Sequence, residues 1–143
     1  MNALSFGSGV KTYTVNETCE ISFNPASSQF AQKLLDTVDR CQQIMDETKK
    51  KQDAVEADKA AVFELAAEQD GKISEQIDSL FGPGKSAKLF PWGPTAWSDG
   101  LPVWLNFCMA ILDEVAQNVT EQQGQASERM QEYMKKYEKY QRK

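Results

Sequence analysis

Gly84-Lys85-Ser86 is the tripeptide in this chain that most invites a chemical role. Glycine, lysine and a hydroxyl residue in that order close the phosphate-binding loop, where backbone N–H groups cradle phosphate and the lysine neutralises it. The full motif needs a second glycine five places before Gly84, and Ser79 stands there. The segment before it also has a helical period, whereas the motif needs a strand. The expectation is a turn that ends a helix, with Gly82 as C-cap and Pro83 blocking continuation.

The remaining candidates are weaker. Asp113-Glu114 is a pair of acids, but paired carboxylates do acid–base work only where burial or a neighbour splits their pKa values. Nothing in the local pattern supplies either, so they read as a solvated face. The chain has no histidine, which removes the commonest general base and the commonest zinc ligand. Cys19, Cys41 and Cys108 are far apart with no C-x-x-C spacing. They fall on apolar stripes and read as small buried hydrophobes in a reducing compartment. The expectation is a protein that is not an enzyme, with no catalytic residue, no cofactor and no metal. A net charge of −5 leaves no general nucleic-acid footprint. The basic segment from Arg129 suits a helix C-terminus, where the dipole favours cations. No basic-then-apolar leader opens the chain, so the sequons at Asn16 and Asn118 read as chance matches.

The elements follow from period and punctuation, and 1–143 reads as one domain. Residues 1–9 form a flexible arm in which Leu4 and Phe6 have the spacing of a short strand. Residues 10–23 alternate with period two, the mark of a β-hairpin. A three-residue turn, Asn16-Glu17-Thr18, pairs Val15 with Cys19 and Tyr13 with Ile21 on one face; a two-residue turn would split the apolar sets between faces. Asn24-Pro25 reads as a helix start. Residues 25–81 hold apolar positions at three–four spacing, from Phe30, Leu34, Val38 and Cys41 to Ile73, Ile77 and Leu80. They form either one helix of roughly 80 Å, straight or bent, or a pair turning near Lys49–Asp53. No glycine or proline marks such a turn, which favours the single rod. Residues 82–100 are a Pro/Trp loop. Residues 101–141 form a C-terminal helix, with Pro102 in its first turn and Ser98 or Asp99 as cap. Its apolar run, Leu101–Leu112, is too short to span a bilayer, which needs roughly 20 residues.

Folding the chain back at the loop brings Trp104 to Ile77, Cys108 to Ile73, Val115 to Ala66 and Val119 to Val62. It also brings Ala126 to Val55, Tyr137 to Ile44 and Tyr140 to Cys41. The fold expected is mainly α: two long antiparallel helices, a coiled-coil-like helical hairpin, with a short N-terminal β-hairpin and an aromatic, Pro-rich connecting loop. That loop has two readings. It caps the helix tip, or it presents Phe90, Trp92 and Trp97 to a protein partner, since tryptophan is enriched among interface hot spots. The row Tyr133, Tyr137, Tyr140 is open between an internal seam and an oligomer contact.

Three stretches carry a family resemblance: Cys-Glu-Ile-Ser-Phe-Asn-Pro (19–25), Asp-Ser-Leu-Phe-Gly (78–82) and Ser-Asp-Gly-Leu-Pro-Val-Trp (98–104). Together they resemble small tail-module proteins of bacteriophages and prophages of Gram-positive hosts, of the tail-assembly chaperone kind. The resemblance implies a mainly helical protein of the host cytoplasm that coats the tape-measure protein and recruits tail-tube subunits. It also implies a homo-oligomer; the acidic balance and the short apolar run, for their part, lead to the expectation of no nucleic acid or membrane partner. The alternative is a structural tail or baseplate component retained in the mature particle.

Overall fold

The computed structural model describes the backbone of residues 2–141, and within it all side chains except those of 126, 127 and 129–141. The chain is mainly helical with a short N-terminal antiparallel hairpin. Strand β1 (Lys11–Val15) pairs with β2 (Cys19–Phe23) in the register Val15–Cys19, Tyr13–Ile21 and Lys11–Phe23. This is the register of the three-residue turn. It buries Cys19, Ile21 and Phe23 and leaves Glu20 and Ser22 in water, as alternation requires. Asn16 and Glu17 both turn with positive φ, 49° and 61°, a region asparagine tolerates and glutamate visits at a cost.

The first helix, α1 (Ser28–Ala54), starts later than Asn24-Pro25 implies. The Asn24 side-chain oxygen instead accepts the Ala26 N–H at 2.8 Å, and the Ser27 N–H donates to the Asn24 carbonyl at 3.2 Å. That tight turn uses the fixed φ of Pro25. Ser27 is the true cap, its Oγ accepting the Phe30 N–H at 3.1 Å.

The single rod expected over 25–81 does not form. The chain reverses at Val55–Asp58, just beyond Lys49–Asp53, and α2 (Lys59–Phe81) returns antiparallel to α1. Gln52 Nε2 donates to the Val62 carbonyl at 3.1 Å, and Arg40 to Gln76 at 3.4 Å. Asp58 makes the break possible without glycine or proline: its carboxylate accepts the Ala61 N–H at 3.2 Å and caps the new helix. Reversal also has a large return. Leu34 and Cys41 on α1 and Ile73 and Ile77 on α2 all become fully buried, where one extended rod leaves both stripes wet. α2 ends at Gly82, whose φ of 117° and N–H to the Asp78 carbonyl at 2.7 Å close it as a C-cap.

The last helix, α4 (Val103–Gln141), therefore meets a helix pair, not a single rod. Trp104, Phe107, Cys108, Ile111 and Val115 share one core with Ile73 and Ile77. The facing partner of Trp104, however, is on α1: its indole N–H donates to the Met45 sulfur at 3.2 Å. Cys108 lies near enough to Cys41 for that thiol to disfavour its ionisation. Val119 is 37% exposed instead of seated on Val62. The expected contacts of Ala126, Tyr137 and Tyr140 fall outside the described side chains.

A run of aromatic rings ties the elements together. Tyr13 stacks on Phe23 at 4.8 Å, and Phe23, Phe30, Phe81 and Phe107 follow edge to face at 4.6 to 6.0 Å. A polar clamp holds the strand pair on α4. The Tyr13 hydroxyl donates to Glu114 at 2.9 Å, Asn118 donates to the same carboxylate oxygen at 2.8 Å, and Lys11 donates to Asn118 at 2.7 Å. Burial first, and then the bond to Glu114, push the Tyr13 phenol up to about 12.

Three outcomes check this packing. Asp58→Ala removes the cap at the reversal and should lower the unfolding free energy by about 1 kcal/mol in urea titration. Burial pushes the Cys41 and Cys108 thiols from about 9 up to about 12. In that window the unfolded state releases thiol protons that the folded state keeps, so stability falls as pH rises from about 9 towards 12. In a Cys19→Ser variant, both remaining thiols should resist a disulfide reagent until urea unfolds the chain; prompt reaction in the native state contradicts their burial.

Candidate functional site

The loop between α2 and α4 is held at each step by a specific bond. Asp78, on the last turn of α2, turns its carboxylate onto the start of a short helix, α3 (Lys85–Leu89). One oxygen accepts the Gly84 N–H at 3.2 Å and the other the Ser86 N–H at 2.8 Å. Lys85 donates to the Glu20 carbonyl at 2.7 Å. The amides and ammonium of Gly84-Lys85-Ser86 are thus taken up by the protein's own oxygens, and an internal carboxylate sits where a phosphate would have to lie. α3 then delivers Leu89 and Phe90 into the core.

Beyond Phe90 the chain is pinned by Asp70 of α2. Its Oδ1 accepts both the N–H and the hydroxyl of Thr95, at 3.2 Å and 2.5 Å. Gly93 passes the same carboxylate with φ of 92°, and a Cβ there would stand 3.3 Å from its oxygen, so both backbone angle and space select glycine. Asp99 and Gly100, with φ of 55° and 79°, make the two-residue turn of a second small hairpin, β3 (Trp97–Ser98) with β4 (Leu101–Pro102). Neither Ser98 nor Asp99 caps α4. The Val103 and Trp104 N–H groups are satisfied by the carbonyls of Ala96 and Pro94, at 2.8 and 3.0 Å. The loop itself supplies the acceptors that a capping side chain normally provides. Asn106, the polar interruption in the apolar run, donates to the Ser98 carbonyl at 2.9 Å.

These constraints build an open groove of about 750 Å³. Trp92 and Trp97 of the loop, Val15 and Asn16 at the first hairpin turn, and Phe107 and Ala110 of α4 all line it. It runs into a cleft of about 270 Å³ beside β1, lined by Tyr13, Ile111 and Glu114 among others. The charged side chains in the two linings are Asp99 and Glu114, both acidic. Among the described residues no group of three or more histidine, cysteine or acidic side chains is placed to hold a metal ion.

The predicted contact residues separate. Trp92 is 90% exposed and Trp97 69%, so both present rings to solvent at the groove's rim. Phe90 is 7% exposed and packs edge to face on Phe107 at 5.6 Å; it anchors the loop. Trp104 is fully buried. The side chains of Tyr133, Tyr137 and Tyr140 lie outside the described residues. The groove's remaining parts, Val15, Asn16, Phe107 and Ala110, escape sequence reading because they meet only after three elements pack. Asp70 likewise looks like any surface acid on α2. The Asp99-Gly100 dipeptide was a legible signal, since that pair is typical of two-residue hairpin turns.

No family model, curated protein or solved structure matches the chain. No helix among the described residues is long and apolar enough to cross a membrane.

Emission spectra check the division of the tryptophans. A Trp92→Phe/Trp97→Phe variant should lose the red-shifted, acrylamide-quenchable component and keep a blue-shifted signal from Trp104. Strong quenching of that residual emission contradicts the burial of Trp104.

Proposed function

We propose that the protein is a non-enzymatic tail-assembly chaperone of a bacteriophage or prophage, acting in the cytoplasm of the bacterial host. Its clients are extended helical segments of a tape-measure protein, and it brings tail-tube subunits to them. One observation carries this reading: two tryptophans 90% and 69% exposed stand on a loop fixed by hydrogen bonds, at the rim of an apolar groove. Exposed tryptophan is unfavourable in water and is enriched at interface hot spots. A loop already fixed by Asp70, Gly93 and the Asp99-Gly100 turn loses little entropy when a partner docks. An amphipathic client helix laying its apolar face in a groove of this kind is a recurring recognition mode. The acidic linings suit a helix with basic flanks and disfavour nucleic acid. The family resemblance of residues 19–25, 78–82 and 98–104 supplies the identity of the client.

The test is capture of overlapping tape-measure fragments by the full chain. Wild type should retain a helical fragment, and Trp92→Ala/Trp97→Ala should weaken it by about 2 kcal/mol or more, roughly thirtyfold in Kd. Equal binding by the variant removes the loop from the mechanism. Mass spectrometry of purified particles separates the rival reading: a chaperone is missing from them, whereas a structural tail or baseplate component is present.

A further inference from the structure

The N-terminal segment and the cleft beside β1 are each left incomplete by the fold. Residues 2–10 leave the hairpin as an irregular, fully exposed arm. Leu4 is 87% exposed, Phe6 81% and Val10 57%. Leu4 and Phe6 are two residues apart, so an extended arm puts both on one face. No charged residue occurs from Asn2 to Val10. The complementary element is β1. It belongs to a two-stranded sheet, so among the described residues its outer edge pairs with no strand. On the other side of the sheet β2 is covered, with Lys85 bonded to the Glu20 carbonyl. Three successive residues of β1, Tyr13 to Val15, line the 270 Å³ cleft with Ile21 and Phe23 of β2, and α4 lines it from Phe107 to Glu114.

We propose that the cleft is the docking site for residues 2–6 of a second copy of this chain, which add a third strand to the outer edge of β1. The backbone of the arm satisfies the unpaired edge, the strand-addition mode of recognition. Leu4 and Phe6 enter the cleft against Ala110 and Ile111. The lengths agree: the two side chains are spaced about 7 Å along a strand, and Phe107 to Glu114 covers about 10 Å of helix. An uncharged arm also takes no ionised group out of water in a cleft that already holds Glu114.

The geometry favours a second copy over the arm's own cleft. The Ser8 carbonyl accepts Asn24 Nδ2 at 3.1 Å, and Gly9 passes so close that a Cβ would stand 2.6 Å from that nitrogen. Asn24 follows β2, the strand on the covered side of the sheet, whereas the open edge belongs to β1. The tether sends the arm away from its own groove. Reciprocal exchange of two arms closes a symmetric dimer.

Light scattering on the full chain at graded concentrations tests the exchange, with circular dichroism confirming that each variant folds. Wild type should form a dimer. Leu4→Ser/Phe6→Ser, which changes only exposed side chains, should raise the dimer dissociation constant at least about tenfold. Ala110→Arg, an exposed position in the cleft lining, should do the same. An equimolar mixture of the two variants should recover association, because it holds one intact arm and one intact cleft. A monomeric wild type overturns the proposal, including one whose arm folds onto its own cleft. Unchanged dimerisation of the arm variant, or a mixture no better than its components, overturns it as well.

Discussion

Burial of Trp104 is the constraint on which the remaining structure depends. The side chain is fully buried, and its one polar atom must find an acceptor inside the core. The Met45 sulfur takes that N–H at 3.2 Å, which fixes where α4 crosses α1. Cys108 then comes beside Cys41 one turn further along, and the interior closes over Leu34, Ile73 and Ile77. The reversal of the chain at Asp58 serves the same end. Without a returning α2, the indole would have a helix on one side only.

Placing Trp104 inside also dictates the loop in front of it. The first N–H groups of α4 have no partner within the helix and need acceptors. Pro94 and Ala96 provide the carbonyls, and they can do so only because Asp70 holds Thr95 between them. The same bonds that complete the helix start therefore fix Trp92 and Trp97 in exposed positions. Structural and binding roles are joined in this loop: the atoms that close the core are a few residues from the rings that face outward.

Attachment of the first hairpin differs in kind. It rests on the run of packed rings from Tyr13 to Phe107 and on the Glu114–Asn118–Lys11 clamp. The clamp leaves one edge of a two-stranded sheet open beside α4. Two strands alone are marginal in water, so this sheet depends on its packing against the helices. Its turn residues, Val15 and Asn16, become a wall of the groove as a result.

The sequence by itself determined what is local. Period two and the need to keep one apolar face dictated the hairpin register to the residue. Gly82-Pro83 dictated where α2 stops, and the short apolar run dictated that α4 would be buried at its start. The stop at Gly82 was legible, but that Gly84-Lys85-Ser86 opens a further short helix, with the carboxylate of Asp78 on its amides, was not. Tertiary structure alone decided how the helices pair. The stripes on 25–81 fit a rod or a reversal equally well, and a capping aspartate in a charged stretch carries no unique signal. The choice belongs to the total apolar area buried, a sum over residues far apart in sequence. For the same reason the groove could not be read from the chain, since its walls come from the first hairpin, the tryptophan loop and α4, which no local rule brings together.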